Sequence, residues 1–145
     1  MDPVIETLLL FAARADHVAR VIRPALEAGS WVVCDRFSDA TAAYQGAGKG
    51  VARELIERLS EAAHPGLQPA RTLVFDCSFE VAKKRLAASG KPLDRFERED
   101  RAFFERVRGA YLARAKSEPD RLRVIDASAD LAQIRKQIAH SLSGL

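Results

Sequence analysis

No run of this sequence approaches the ~20 consecutive apolar residues that a membrane-spanning helix requires, so no such helix is expected. Cysteine is scarce: Cys34 and Cys77 each stand alone in an apolar run. They read as two reduced, buried thiols of a cytoplasmic protein, not as a disulfide framework. The three histidines, His17, His64 and His140, are scattered without metal-ligand spacing, which excludes a zinc site of the usual kind. Aromatics are only 7% of the chain, and its 23 Lys and Arg are interspersed with 20 Asp and Glu. An aromatic-lined basic groove for nucleic acid is therefore not expected. The opening Met1-Asp2-Pro3 has no basic stretch ahead of an apolar one and does not read as a signal peptide.

What remains is an ordinary globular composition of one-domain length, 145 residues with 48% apolar and 30% charged side chains. A stripe at Val4, Leu8, Phe11, Ala15, Val18, Ile22 and Ala25 predicts a helix over 3–28 with a core face. Pro24 should kink or restart it, and Gly29 should end it. Trp31-Val32-Val33-Cys34, ending at Asp35, reads as a buried strand. Residues 51–63 read as a helix with Val51, Leu55, Leu59 and Ala62 on one side, broken at His64-Pro65-Gly66. Further strands are predicted at Leu73–Asp76 and Leu122–Asp126, and further helices over 79–89, from about 101 through Phe103, Phe104, Val107 and Tyr111, and over 129–142.

Strands separated by helices imply a parallel sheet covered on both faces, an α/β fold. All three strands end in aspartate. Ligands in open α/β sheets bind outside the carboxyl ends of the strands, but a single such Asp is more often a cap or turn residue.

One segment imitates a phosphate loop without being one. Gly46-Ala47-Gly48-Lys49-Gly50 has Ala43 where the first P-loop glycine belongs, and Gly50 in place of the hydroxyl residue that follows the lysine. It reads as a flexible connection between helices, and no other segment offers the pattern. Asp35-Arg36-Phe37, at a strand end, has two physical readings. It is either a local Asp–Arg pair or a carboxylate for a hydrated metal–nucleotide beside an arginine for a phosphate.

Four segments in order, Phe11-Ala12-Ala13-Arg14, Asp35-Arg36-Phe37, Thr41-Ala42-Ala43-Tyr44-Gln45-Gly46 and Leu93-Asp94-Arg95-Phe96-Glu97, closely resemble bacterial thymidylate kinase. The resemblance runs from Leu8 to Val124-Ile125-Asp126-Ala127. It implies a three-layer fold of the P-loop kinase type with a parallel sheet flanked by helices, and phosphoryl transfer from ATP to dTMP. Mg²⁺ would enter with ATP, and the relatives are homodimers.

By the same resemblance Phe11 stacks on the thymine ring and Arg14 reads the base. Arg36 holds the substrate phosphate, and Asp35 stands near the metal–nucleotide, touching Mg²⁺ through water. Thr41 meets the base edge, Tyr44 packs against the sugar, and Gln45 is a further pocket candidate. Core packing for Phe11 and Tyr44, a solvated charge for Arg14 and a helix cap for Thr41 are the plainer alternatives.

Residues 83–97 resemble the lid over the phosphates. Lys83, Lys84, Arg85, Lys91 and Arg95 supply charge, with Arg85 and Arg95 as catalytic candidates and Asp94 and Glu97 near the substrate. The lid is thinner in arginine than is usual, with Ala87 and Ser89 in it. A solvated charged helix start is the alternative for Arg95 to Arg101.

The resemblance also implies that the family's first, central strand and its P-loop have no counterpart here, about one βα unit of ~30 residues. That strand would lie between 31–35 and 72–76. Met1 is then either an internal methionine or the true start of a degraded paralogue. A single domain over 1–145 is expected, either as a kinase with little activity alone or as a non-catalytic nucleotide-binding module.

Overall fold

The computed structural model describes residues 1–88, 90 and 100–145. They form two compact units, Met1–Gln68 and Pro69–Leu145.

The first unit is helical. Helix α1 (Pro3–His17) starts where the sequence provides a cap: the Asp2 carboxylate accepts from the amides of Val4 and Ile5, and Pro3 takes the first helical position. It runs on through a π-helical turn, Val18–Ile22, into α2 (Arg23–Glu27). Gly29, at φ 77°, closes it: its amide reaches the Leu26 carbonyl and that of Ser30 reaches Ala25. Helix α3 (Ser38–Thr41) continues as a second π-helical stretch, Ala42–Gly48, and α4 (Arg53–Ala63) follows. Phe11, Val51 and Ile56 form the core of this unit, with Leu55, Leu59 and Ala63 packed against it.

Several expectations are corrected here. The core stripe of α1 holds at Phe11, Val18 and Ile22, but Val4 and Leu8 are exposed, and Glu6 and Thr7 are buried in their place. The reason is a polar contact: Gln45 and Lys49 both donate to the Glu6 carboxylate and turn that face inward. In α4, Ile56 is buried where Ala62 was expected.

Trp31–Cys34 is not a strand. Trp31 is 73% and Val33 96% exposed, because no strand among the described residues pairs with this segment. Cys34 is accordingly exposed and Cys77 half-buried, so neither thiol is a core residue. The Gly46–Gly50 segment is not a loose connection. Gly46 and Gly48 lie in the helix, and a Cβ on Gly46 would stand 3.2 Å from Ile56 Cδ1. The glycine lets the helix approach α4 closely.

The second unit is α/β. Strands β1 (Thr72–Asp76) and β2 (Leu122–Asp126) run parallel, with Thr72 opposite Leu122 and Asp76 opposite Asp126. Helices α5 (Phe79–Ala88) and α6 (Arg101–Ser117) lie in the crossover, and α7 (Leu131–Leu142) follows β2. Asp100 and Asp130 cap α6 and α7, accepting from the amides of Phe103 and Gln133. Val74, Ala115 and Leu122 form the core with Tyr111 against them. Coverage is incomplete: Phe75 and Val124 remain exposed, against the expectation of a sheet buried throughout. At the end of β2, the Gln137 carboxamide accepts from the Asp126 amide and donates to its carbonyl, as a neighbouring strand would.

Truncating Ile56 to alanine should leave a cavity beside Phe11 and Gly46 and cost about 2–4 kcal/mol. A drop in the midpoint of denaturant unfolding, followed by circular dichroism, is the expected result.

Candidate active site

Arg14 lies three residues after Phe11, one helical turn along α1, and its guanidinium rests 4.6 Å from the Phe11 ring centroid and 5.3 Å from that of Phe37. Its Nη2 donates to Thr41 Oγ1 at 3.0 Å and to the Phe37 carbonyl at 3.4 Å. Its Nη1 is buried and has no hydrogen-bond partner. Burial makes Arg14 release its proton more readily than usual, with Cys34 opposing this effect. The guanidinium nevertheless remains charged at neutral pH.

Beside it opens a cleft of about 410 Å³, lined by Arg14, Cys34, Asp35, Arg36 and Phe37 among others. Arg36 is the one non-glycine residue at positive φ, 63°, among those described. Such a conformation is costly and persists only where surroundings enforce it. Its guanidinium lies over the Tyr44 ring at 4.7 Å. Asp35 is exposed at the cleft. Partial burial pushes the pKa of the otherwise exposed Cys34 thiol up, with Arg14 opposing this and Asp35 adding to it.

The structure thus brings Arg14, Asp35 and Arg36 to one cleft, with Thr41 and Tyr44 behind them as supports. Phe11 is 3% exposed and belongs to the core, one face under Arg14. Gln45, at 1% exposure, is equally internal, with its Nε2 2.7 Å from Glu6 Oε1.

In the second unit Arg85 donates to the Ala127 carbonyl at 2.5 Å, tying α5 to the turn after β2. The strand-end Asp76 is taken by a two-pronged ion pair with Arg108, at 2.7 and 2.9 Å. Asp126 accepts from the Ser128 amide and hydroxyl, which lowers its pKa. Both carboxylates therefore do structural work. Lys83 and Arg101 flank the Phe79 ring. Asp94, Arg95 and Glu97, with Lys91, lie outside the described residues. No cluster of three or more His, Cys, Asp or Glu suited to a metal occurs among the described residues. A single carboxylate at Asp35 still fits a Mg²⁺ that keeps its waters and is held mainly by nucleotide phosphates.

Sequence reasoning passed over His64. It caps α4, is 4% exposed, and packs its ring 4.6 Å from that of Phe37. Its Nδ1 is 2.9 Å from the Leu67 carbonyl, and its Nε2 is 2.6 Å from Ser38 Oγ and 3.1 Å from Ser60 Oγ. The only signal for it was the four-residue spacing from Ser60 ahead of Pro65-Gly66.

Burial is the largest influence on His64 and pushes its pKa below 6.5. The unfolded chain then takes up a proton near that pH which the folded chain resists. Stability is full above about pH 6.5, declines as pH falls below it, and levels off under the folded pKa. The thermal midpoint should therefore fall between about pH 7.5 and 5.5, and His64→Gln should flatten that fall.

Comparisons with known proteins bear on the family and the fold. Residues 1–138 match the family described as Thymidylate kinase. The thymidylate kinase of Bordetella petrii is 51% identical over 140 residues, covering 97% of this chain and 67% of the relative. That of Cupriavidus necator is 55% identical over 133 residues, covering 92% and 65%. The crystal structure of thymidylate kinase from Ehrlichia chaffeensis superposes with a TM-score of 0.76 at 26% identity, covering 99% of this chain and 68% of that one. The chain spans about two thirds of the length of these relatives, and its α/β fold is of their kind. On family match, sequence identity and fold together, the chain belongs to the thymidylate kinase family.

Proposed function

We propose that this chain carries the acceptor-nucleotide side of a dTMP kinase, which transfers a phosphoryl group from ATP to dTMP and gives dTDP. The observation that carries the reading is the buried, unpartnered Nη1 of Arg14 at the cleft that also holds Asp35 and Arg36. A buried donor without an acceptor is costly, and a pyrimidine carbonyl would supply one. Arg36, preset by its backbone and by Tyr44, would meet a phosphate with two parallel hydrogen bonds. Neutralising the acceptor phosphate lets its oxygen approach a second anion, the main requirement in phosphoryl transfer. Mg²⁺, when bound with ATP, would neutralise charge on the transferring group, and Asp35 would orient its waters. Thr41 holds Arg14, so its contribution to base recognition is made through that arginine. Arg85, Arg95, Asp94 and Glu97 would act from the lid, about 83–97.

These residues hold no P-loop pattern, which favours a second reading of the chain alone, a module that binds dTMP with little turnover. A homodimer through α1 is also proposed, since Ile5, Leu8 and Leu9 stand exposed on it. A cytoplasmic setting is proposed on the family resemblance; separately, no described helix is long and apolar enough to cross a membrane.

Calorimetry separates the readings. Binding of dTMP without ATP supports the module, binding of both with turnover supports the complete enzyme, and binding of neither removes the proposal. Arg36→Ala should weaken dTMP by tenfold or more, about the value of a charge-assisted pair, and reduce the salt dependence of binding.

A further inference from the structure

We infer that His64 is the positioning residue of the Asp35-Arg36-Phe37 loop, anchoring Ser38 and Phe37 so that Arg36 is held in its left-handed conformation over Tyr44. The inference rests on the reading of Arg36 as the phosphate-binding residue and deepens it.

Arg36, at φ 63°, sits in a backbone region that a residue with a Cβ leaves when free to do so. Something must prevent this, and the residues that follow show what. Ser38 opens α3, and its Oγ stands 2.6 Å from His64 Nε2. The Phe37 ring lies against the same imidazole. The tautomer follows from the partners: the Leu67 carbonyl can only accept, so Nδ1 carries the proton and Nε2 presents its lone pair. That lone pair accepts a hydrogen bond from the Ser38 hydroxyl, the shorter of its two serine contacts, with Ser60 Oγ beside it.

His64 is itself fixed from two sides, by its place at the end of α4 and by the Leu67 carbonyl. A rigid acceptor thus pins the residue two places after Arg36, and a rigid ring supports the residue next to it. Phe37 is held a second time through its carbonyl, which accepts from Arg14. The imidazole is buried and does not line the cleft, so it touches no substrate and acts through the loop alone.

The test measures dTMP affinity by calorimetry for the chain and for His64→Phe, His64→Gln, Ser38→Ala and the His64→Phe/Ser38→Ala pair. It also measures the rate at which iodoacetamide labels Cys34, read by peptide mass. Cys34 is exposed and its Sγ lies 3.8 Å from the Arg36 carbonyl, so its labelling reports on the loop. His64→Phe and Ser38→Ala should each weaken dTMP about tenfold, and the pair should be no weaker than the worse single variant.

His64→Gln, whose carboxamide oxygen can accept from Ser38, should stay within about threefold of the parent. Losses that add, or single variants within about twofold of the parent, overturn the inference. Should His64→Phe fail to fold, Ser38→Ala and His64→Gln decide by the same limits. If the parent chain does not bind dTMP, the phosphate reading of Arg36 falls by itself, and Cys34 labelling decides. Faster labelling in His64→Phe and Ser38→Ala but not in His64→Gln upholds the positioning role, and equal rates overturn it.

Discussion

One guanidinium organises the first unit. Arg14 leaves α1 between two aromatic rings and ties that helix to the chain around Phe37 and Thr41, more than twenty residues later. Removing a charge from water is expensive unless hydrogen bonds and polarisable surfaces replace the lost hydration. Arg14 has both, except at Nη1. The same guanidinium lines the cleft that Asp35 and Arg36 also reach. The same arrangement accounts for Thr41, whose buried hydroxyl serves the arginine.

The second unit solves a similar problem with carboxylates. A strand end leaves backbone groups and a turn to stabilise, and here aspartate does so at both strands. Asp76 fixes α6 against β1 through Arg108, and that pairing holds the guanidinium proton more tightly than usual. Asp126 shapes the turn that Arg85 then clasps through the Ala127 carbonyl. Arg85 therefore has a structural duty whatever it contributes to chemistry.

Much of this was legible in the sequence because it is periodic or local. The runs at 72–76 and 122–126 and the helices after them follow from apolar spacing. Asp35 and Arg36 were visible as a motif and Arg14 only through the family resemblance, and these three line one cleft. Trp31–Cys34 could not be settled, because a strand is defined by its neighbours and apolar residues only make one possible. Gly46–Gly48 was misread because glycine signals both looseness and close approach, and only Ile56 decides which. His64 was invisible for a third reason: its partners, Ser38, Ser60 and Leu67, share no spacing that marks a site.

The carboxamide of Gln137 has a further consequence. An open strand edge is a template on which another chain can add, and proteins that expose one need some way to refuse it. By occupying both backbone groups of Asp126, Gln137 gives the last rung of β2 a partner that cannot propagate. The side chain imitates a peptide for a single unit and then stops. In that respect α7 closes one rung of the β2 edge through a single glutamine.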